Sequence, residues 1–408
     1  MNMKRIFIML SCCWMGTNLS AQNMLVEELH GPVSSNEVAS FKAFVGHTQP
    51  SLDNIGNDWV YGGSGSTMEA LGMMYETTND TSILNKMIRF ADVALHIRND
   101  ADTGRVLWTG KRELCWPNKA VNAEDAGYSG SENGDVIAHI AYCAQLVIRN
   151  KKLWNHPVSI GDAYQFGGTY LARAKKYIAE LNRTIDRYIL PNFIQKNSYR
   201  FYWPQNEKWQ ALGARYKKDA GKPIPWNQQA MLAGGFQRLA ECHELLKEQV
   251  QRVALYDRIV KAYSDWFISQ LVPYEAGGHT CYKWSYAVND TALKYMEDQG
   301  HGGYDVWGIC RAYYRKAYGV GNDVMQRLAN TVHYVMYQGN GLFSKRVDGK
   351  NGTQKYLGAS YLCLAGFQPE LYDILASADL EQAKTKANYF AQIIFSRQQL
   401  ALNAKLEK

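Results

Sequence analysis

The chain has 408 residues, a formal net charge of +7 and 12% aromatic side chains, including eleven Trp and 27 Tyr. That length suffices for a large core, as one big domain or two ordinary ones. The mild positive balance excludes the concentrated basic patch of a nucleic-acid binder. Cys115, Cys143, Cys242, Cys281, Cys310 and Cys363 form no C-x-x-C pair, so a zinc framework has no support.

Lys4 and Arg5 precede an apolar run from Ile6 to Met15, and Ser20-Ala21-Gln22 follows. A basic start, a short greasy middle and a small residue before a cut after Ala21 read as a secretory signal peptide over residues 1–21. The run is too short to span a bilayer, and a lipoprotein anchor at Cys12 is the second reading. The expectation is export to a periplasm or beyond, with no membrane insertion. No composition shift marks a linker, so 22–408 reads as one domain.

Helical periodicity dominates that domain. Ser66–Glu76 and Ile83–Ile97 read as a hairpin turning at Asn79 and Asp80. Asp135–Ile148, Gly168–Ile189 (stopped at Pro191), Gln228–Leu246 and Val250–Leu271 follow. Tyr304–Ala317, Asp323–Tyr337, Gly358–Leu364 and a stretch from Leu380 to about Leu400 complete the series. Tyr199–Trp203 and Gly341–Ser344 read as short rim strands. Cys143, Cys242, Cys310 and Cys363 fall within apolar helical patterns and read as buried thiols.

Every second helix starts just after a Gly- or Pro-rich segment loaded with polar and aromatic side chains. These segments are 59–64, Tyr128–Asn133, Pro225–Gln229 and Glu297–Asp305. The alternation predicts an all-α fold, an α/α toroid of six to seven helical hairpins, with inner helices presenting their first turns to one mouth.

The segment from Tyr295 to Tyr314 is the strongest chemical candidate. Its Gly-His-Gly-Gly turn makes backbone room near a ligand. His301 and Tyr304, three apart, can share one space, and such a pair can move a proton off carbon and deliver one to a leaving oxygen. Asn133 and Asn227, with Gln228 beside the latter, stand at helix starts where an amide and the helix dipole suit a carboxylate; both Asn read equally well as caps. Lys345 and Arg346 lie in a basic stretch, and Arg346 can grip a carboxylate bidentately. His279, Tyr282, Tyr128 and Trp226 suit a sugar platform. His139, inside an apolar helix, reads as a satisfied core residue, and His96, His243 and His333 as structural.

On the export signal, the serial hairpins and the segments holding Asn133, Asn227 and His301–Tyr304, the chain resembles the toroidal polysaccharide lyases of gut Bacteroidetes. Polysaccharide lyase family 38, of alginate and glucuronan lyases, is the nearest pattern. The resemblance implies metal-independent β-elimination on an acidic polysaccharide, with no cofactor. It casts Tyr304 as acid/base and His301 as its assistant, while Asn133, Asn227 and Arg346 compete to neutralise the carboxylate. The alternative on the same toroid is a glycoside hydrolase using two of Glu297, Asp298, Asp305, Glu132 and Asp135. A non-catalytic glycan binder is the third reading.

Overall fold

The structure is a computed structural model describing residues 23–53, 56, 59, 63–101, 103–118 and 127–406. The expected signal peptide with Cys12, and positions 60–62 of the first decorated segment, lie outside the described residues. The fold is helical. In chain order it runs α1 (Ser35–His47), α2 (Ser64–Thr78), α3 (Thr81–His96), α4 (Asn133–Arg149), α5 (Tyr170–Thr184) and α6 (Trp226–Leu246). It continues with α7 (Val250–Gln270), α8 (Gln299–Arg315), α9 (Asn322–Asn330), a 3-10 helix (Ala359–Gly366), α10 (Glu370–Ala383) and α11 (Ala387–Leu406).

These elements close an α/α toroid. α2 packs on α4, α4 on α6, α6 on α8, α8 on the 3-10 helix, that helix on α11, and α11 back on α2. Outside this ring α1 covers α11, α3 covers α2 and α4, α5 covers α4, and α7 covers α6. α9 covers α8 and the 3-10 helix, and α10 covers the 3-10 helix and α11. Sequence dictates which helix goes where. α4 is apolar almost all round and buries nearly every residue from Asn133 to Ile148, as an enclosed helix must. α5 buries one face only, through Tyr170, Ala174, Tyr177, Ile178 and Leu181.

Local signals set the boundaries. Asp80 caps α3 by accepting from Ser82 N, immediately after Asn79 ends α2 at φ 56°, so the turn lies where the sequence indicates. α5 does not stop at Pro191. A π-turn at Ile185–Ile189 restarts the winding, and Pro191 falls at the start of a new turn, Leu190–Phe193, where its missing N–H costs nothing. The stretch expected at Leu380–Leu400 is two helices, α10 and α11, broken by a tight turn at 384–386. α1 was not anticipated, although Ser34 and Glu37 form a full capping box at its start.

Strands are few among the described residues. Tyr199–Trp203 contributes only isolated bridges, Phe201 with Ile194 and Tyr202 with Pro223. β3 (Phe343–Ser344) pairs with β4 (Thr353–Gln354), while β1 (Val272–Ala276) and β2 (His279–Lys283) form an antiparallel hairpin. Its two-residue loop is Gly277 and Gly278 at φ 58° and 79°, the left-handed pair that a tight hairpin requires. All six cysteines named above are buried free thiols.

One buried ion pair straps α1 to α11. Arg397 Nη2 lies 2.6 Å from Glu37 Oε2 and Nη1 3.1 Å from Oε1, with both side chains nearly inaccessible. Removing one partner strands the other charge in the interior. Arg397→Met is expected to lower unfolding stability by about 3–5 kcal/mol, read by urea denaturation. The double variant Glu37→Gln/Arg397→Met should recover most of that loss, because a Gln at 37 keeps the capping box without a stranded charge.

Candidate functional site

Outer helices return the chain between inner ones, so all six inner elements run in the same direction. Ser66, Asp135, Ala230, Gly300, Ala359 and Asn388, one from each, line a cavity of about 280 Å³ at the end where those elements begin. Glu76, Arg149, Glu241, Arg315, Gly366 and Asn403, from the opposite ends, line a hollow of about 340 Å³. Glu69, Met73, Trp307, Arg311 and Gln392 line both and form a waist.

An ion chain runs along one wall of the bore near that waist, on the neighbouring helices α2, α4 and α6. Arg238 Nη2 holds both oxygens of Glu69, at 2.9 and 3.0 Å. Glu69 Oε2 lies 3.2 Å from His139 Nδ1, off line for a hydrogen bond, and His139 Nε2 meets Asp135 Oδ2 at 3.1 Å. Burial opposes charge on His139, but Asp135 and Glu69 outweigh it and lift the imidazole to about 9. It is therefore a cation at neutral pH. Burial also opposes an ionised Glu69, yet Arg238 and His139 hold its carboxyl well below the usual range.

The opposite wall is a stripe on α8. Gly300, Tyr304, Trp307 and Arg311 recur at four- and three-residue steps, so they share the face that lines the bore. The Arg311 guanidinium sits 5.3 Å from the Trp307 ring centroid. Among the described residues it joins no ion pair, and its Nε has no hydrogen-bond partner. Burial and the nearby Arg238 lower its pKa from the usual arginine value.

Of the residues expected from sequence to serve elimination, Tyr304 alone lines this cavity. His301, three residues before it and about 60° round the helix, is absent from that lining. Its Nδ1 meets Asp298 Oδ2 at 2.6 Å, and its ring tilts against Tyr286 at 5.0 Å. The Asp298 hydrogen bond raises its pKa, against burial. The expected pairing of His301 with Tyr304 in one space is therefore corrected. The glycines beside it are explained differently too. A Cβ at Gly302 would meet Tyr361 Oη at 2.8 Å and one at Gly303 would meet Ser360 Oγ at 2.6 Å, so the bare backbone admits the 3-10 helix rather than a ligand.

The other expected contacts are spent in packing. Asn133 is fully buried; its Oδ1 accepts from Trp116 N at 2.6 Å and its Nδ2 donates to Ser129 Oγ and Gly130 O. Asn227 is buried outside the cavity lining with its Oδ1 unpartnered, and Gln228 Oε1 accepts from Ser131 Oγ at 2.6 Å. Trp226 packs edge-on against Trp266 and Phe267. Tyr128 is buried against Trp209 and Tyr216. Tyr282 accepts from Arg327 at 3.1 Å. His279 stacks on Tyr334 on the β1–β2 hairpin, its centroid 3.9 Å away. Lys345 is exposed, and Arg346 is gripped by Asp348 through two contacts, at 3.1 and 2.5 Å.

Four of the five carboxylates named for a hydrolase lie off the cavity, and Asp135 alone lines it. Glu297 and Asp305 form a buried couple under α8. Trp284 Nε1 donates to Asp305 at 2.9 Å. Burial raises both acids, Asp305 to about 7; Asp305 pushes Glu297 up further, while Trp284 and Glu297 pull Asp305 back down by hydrogen bonding. Glu297, Asp298 and His301 bring ligand atoms within 4.8 Å of one another, the one such cluster among the described residues. Asp298, however, caps α8 through Gly300 N and His301 N, which accounts for its position without an ion.

Glu69, His139, Arg238, Trp307 and Arg311 were passed over. The legible signal was polar residues at helical spacing inside otherwise apolar inner helices: Asp135 with His139, Tyr304 with Trp307 and Arg311.

No family model matches this chain, and no curated protein sequence matches it. Among solved structures it is similar to "Glycoside hydrolase family 76 (mannosidase) Bt3792" from Bacteroides thetaiotaomicron VPI-5482. The identity is 11% over 84% of this chain and 70% of that chain, with a TM-score of 0.43.

The His139 cation has a thermodynamic signature. Its folded pKa lies above the ordinary value of about 6.5, so its stabilisation is complete below that pH and fades as pH rises through about 9. An NMR titration of the imidazole should find a midpoint near 9. His139→Gln should flatten the fall of stability across that window. A midpoint at or below 6.5 would show that the two carboxylates do not act on the ring.

Proposed function

We propose that this chain is a glycan-cleaving enzyme that takes an acidic sugar chain into the mouth of the bore and breaks it by β-elimination. One observation carries the reading: Tyr304, Trp307 and Arg311 stand on one bore-facing stripe, a phenol, a ring platform and an uncommitted guanidinium. Arg311 lies seven residues, about 10 Å, further along the helix than Tyr304, and long helical side chains lean back towards the N-terminus, which brings its charge towards the phenol.

In this reading Arg311 pairs with the uronate carboxylate and damps its charge, so that the proton on C5 can leave and the enolate-like intermediate is stabilised. Tyr304 takes the C5 proton, a step that requires its phenolate form. The electron pair forms the C4–C5 double bond, the C4–O4 bond breaks, and the proton passes to O4. In a glucuronan or a mannuronate-rich alginate, H5 and O4 share a face, so one residue serves for both transfers.

A second reading has its own support. Asp135 and Glu69 face opposite nitrogens of His139, which spaces them on the order of 8 Å, within the roughly 6.5–9.5 Å of an inverting hydrolase pair. Such a pair needs one carboxyl held protonated, and Glu69 is pushed the opposite way. Elimination therefore has the better claim.

The test exposes purified protein to a panel of acidic polysaccharides and follows the ultraviolet absorbance of unsaturated products. Absorbance should grow, and Tyr304→Phe should cut turnover by about 10²–10⁴-fold. New reducing ends without absorbance, lost in Asp135→Asn but kept in Tyr304→Phe, select hydrolysis instead. Silence across the panel rejects both chemistries.

A further inference from the structure

We propose that the hollow beyond the waist is a second sugar-binding chamber, so that an acidic chain threads the bore instead of lying only across its mouth. The inference rests on the reading of the mouth as a site for acidic glycans and extends it to the far end of the toroid.

The hollow holds about 340 Å³, within the roughly 300–1,000 Å³ typical of small-molecule sites. What separates it from the mouth is side chains, with Met73, Trp307 and Arg311 prominent among them. Its wall combines rings with amides, the pairing that sugars require: Tyr142 and Tyr314 beside Gln145 and Gln237. Tyr314 is 57% exposed, and Arg149 and Gln399 are exposed too, so the chamber opens to solvent at its far rim.

Charge points to the class of ligand. The cations of the far chamber are committed: Arg149 to Glu76 at 2.9 Å, Arg238 to Glu69 at 2.9 Å, and Arg315 to Glu244 and Asp257, both at 2.8 Å. Arg311, at the waist, is the uncommitted one and lines both hollows. A carboxylate seated on it belongs to a unit at the waist, with neighbouring units in each chamber. The ligand is a uronate oligosaccharide long enough to pass that point.

Cys363 supplies a native probe. It lines the far chamber and not the mouth, and at 9% exposure it is the most accessible of the six buried thiols. Burial holds the thiol protonated, so modification by a small methanethiosulfonate is slow and can be followed by intact mass. In Tyr304→Phe protein, where turnover is stopped, a uronate tetramer should slow labelling of Cys363 at least tenfold, and a neutral glucose tetramer should not. Unchanged labelling by a tetramer that calorimetry shows to be bound overturns the chamber and leaves the mouth reading intact. If the unaltered chain cleaves no acidic polysaccharide and the tetramer does not bind, the proposed function has failed, and the chamber with it.

As a complement, Cys363→Phe should erase the gain in kcat/KM that wild type shows with oligomer length and leave the shortest cleaved oligomer unaffected. Cys363→Ser controls for loss of the thiol. A length profile unchanged in a folded Cys363→Phe variant also overturns the proposal.

Discussion

The bore is organised by the ion chain Arg238–Glu69–His139–Asp135, which ties α6, α2 and α4 to one another. Each of these charges alone would be expensive to bury, and each is tolerable because its neighbours are of opposite sign. Satisfying all of them demands that three inner helices hold particular rotations about their axes. Those rotations decide which faces look inward. The stacking of Arg238 over the Tyr142 ring at 4.1 Å adds a second restraint between α6 and α4.

The fourth wall, α8, is oriented by other means. Gly302 and Gly303 let Tyr361 and Ser360 approach its backbone, and Tyr361 Oη donates to Gln299 O at 2.9 Å. Asp305, turned the same way, receives Trp284 Nε1 beside Glu297. With that side committed to the 3-10 helix and the Trp284 loop, Tyr304, Trp307 and Arg311 are left facing the bore. The acids and glycines that look most chemical in the sequence are what position the stripe. They act one layer behind it.

This explains what was legible. The alternation of decorated and plain helix starts reported the architecture correctly, because inner helices do gather their beginnings at one mouth. It does not mark the side chains that reach the bore. A residue in the first turn usually closes an orphan backbone group, and Asn133 and Asp298 do that or support the adjoining loop. The bore is reached by residues on the inward face, and rotation about the helix axis is invisible in a lone sequence wherever all faces are apolar. His139 illustrates the difficulty. On an apolar helix a histidine resembles a satisfied core residue, and only the fold brings Glu69, seventy positions away, to its other nitrogen. α1 has a legible start in its capping box, Ser34 with Glu37, but it buries only Glu37, Phe41 and Val45, too thin an apolar stripe to announce a helix.

The sign of the bore favours an anionic guest. Glu69 and Asp135 are already paired with Arg238 and His139, so Arg311 adds a positive charge beyond them, eased by those two carboxylates only through space. Its surroundings lower its pKa, yet arginine starts so far above neutrality that it keeps its proton. Burying that additional cation carries a desolvation cost that Glu69 and Asp135, each already paired, offset only in part. A bound carboxylate offsets that cost, whereas a neutral sugar leaves it in place. If the negative charge spreads towards the sugar ring as a proton is lost, the same guanidinium binds the altered species more tightly than the starting one, and that difference is what accelerates a reaction.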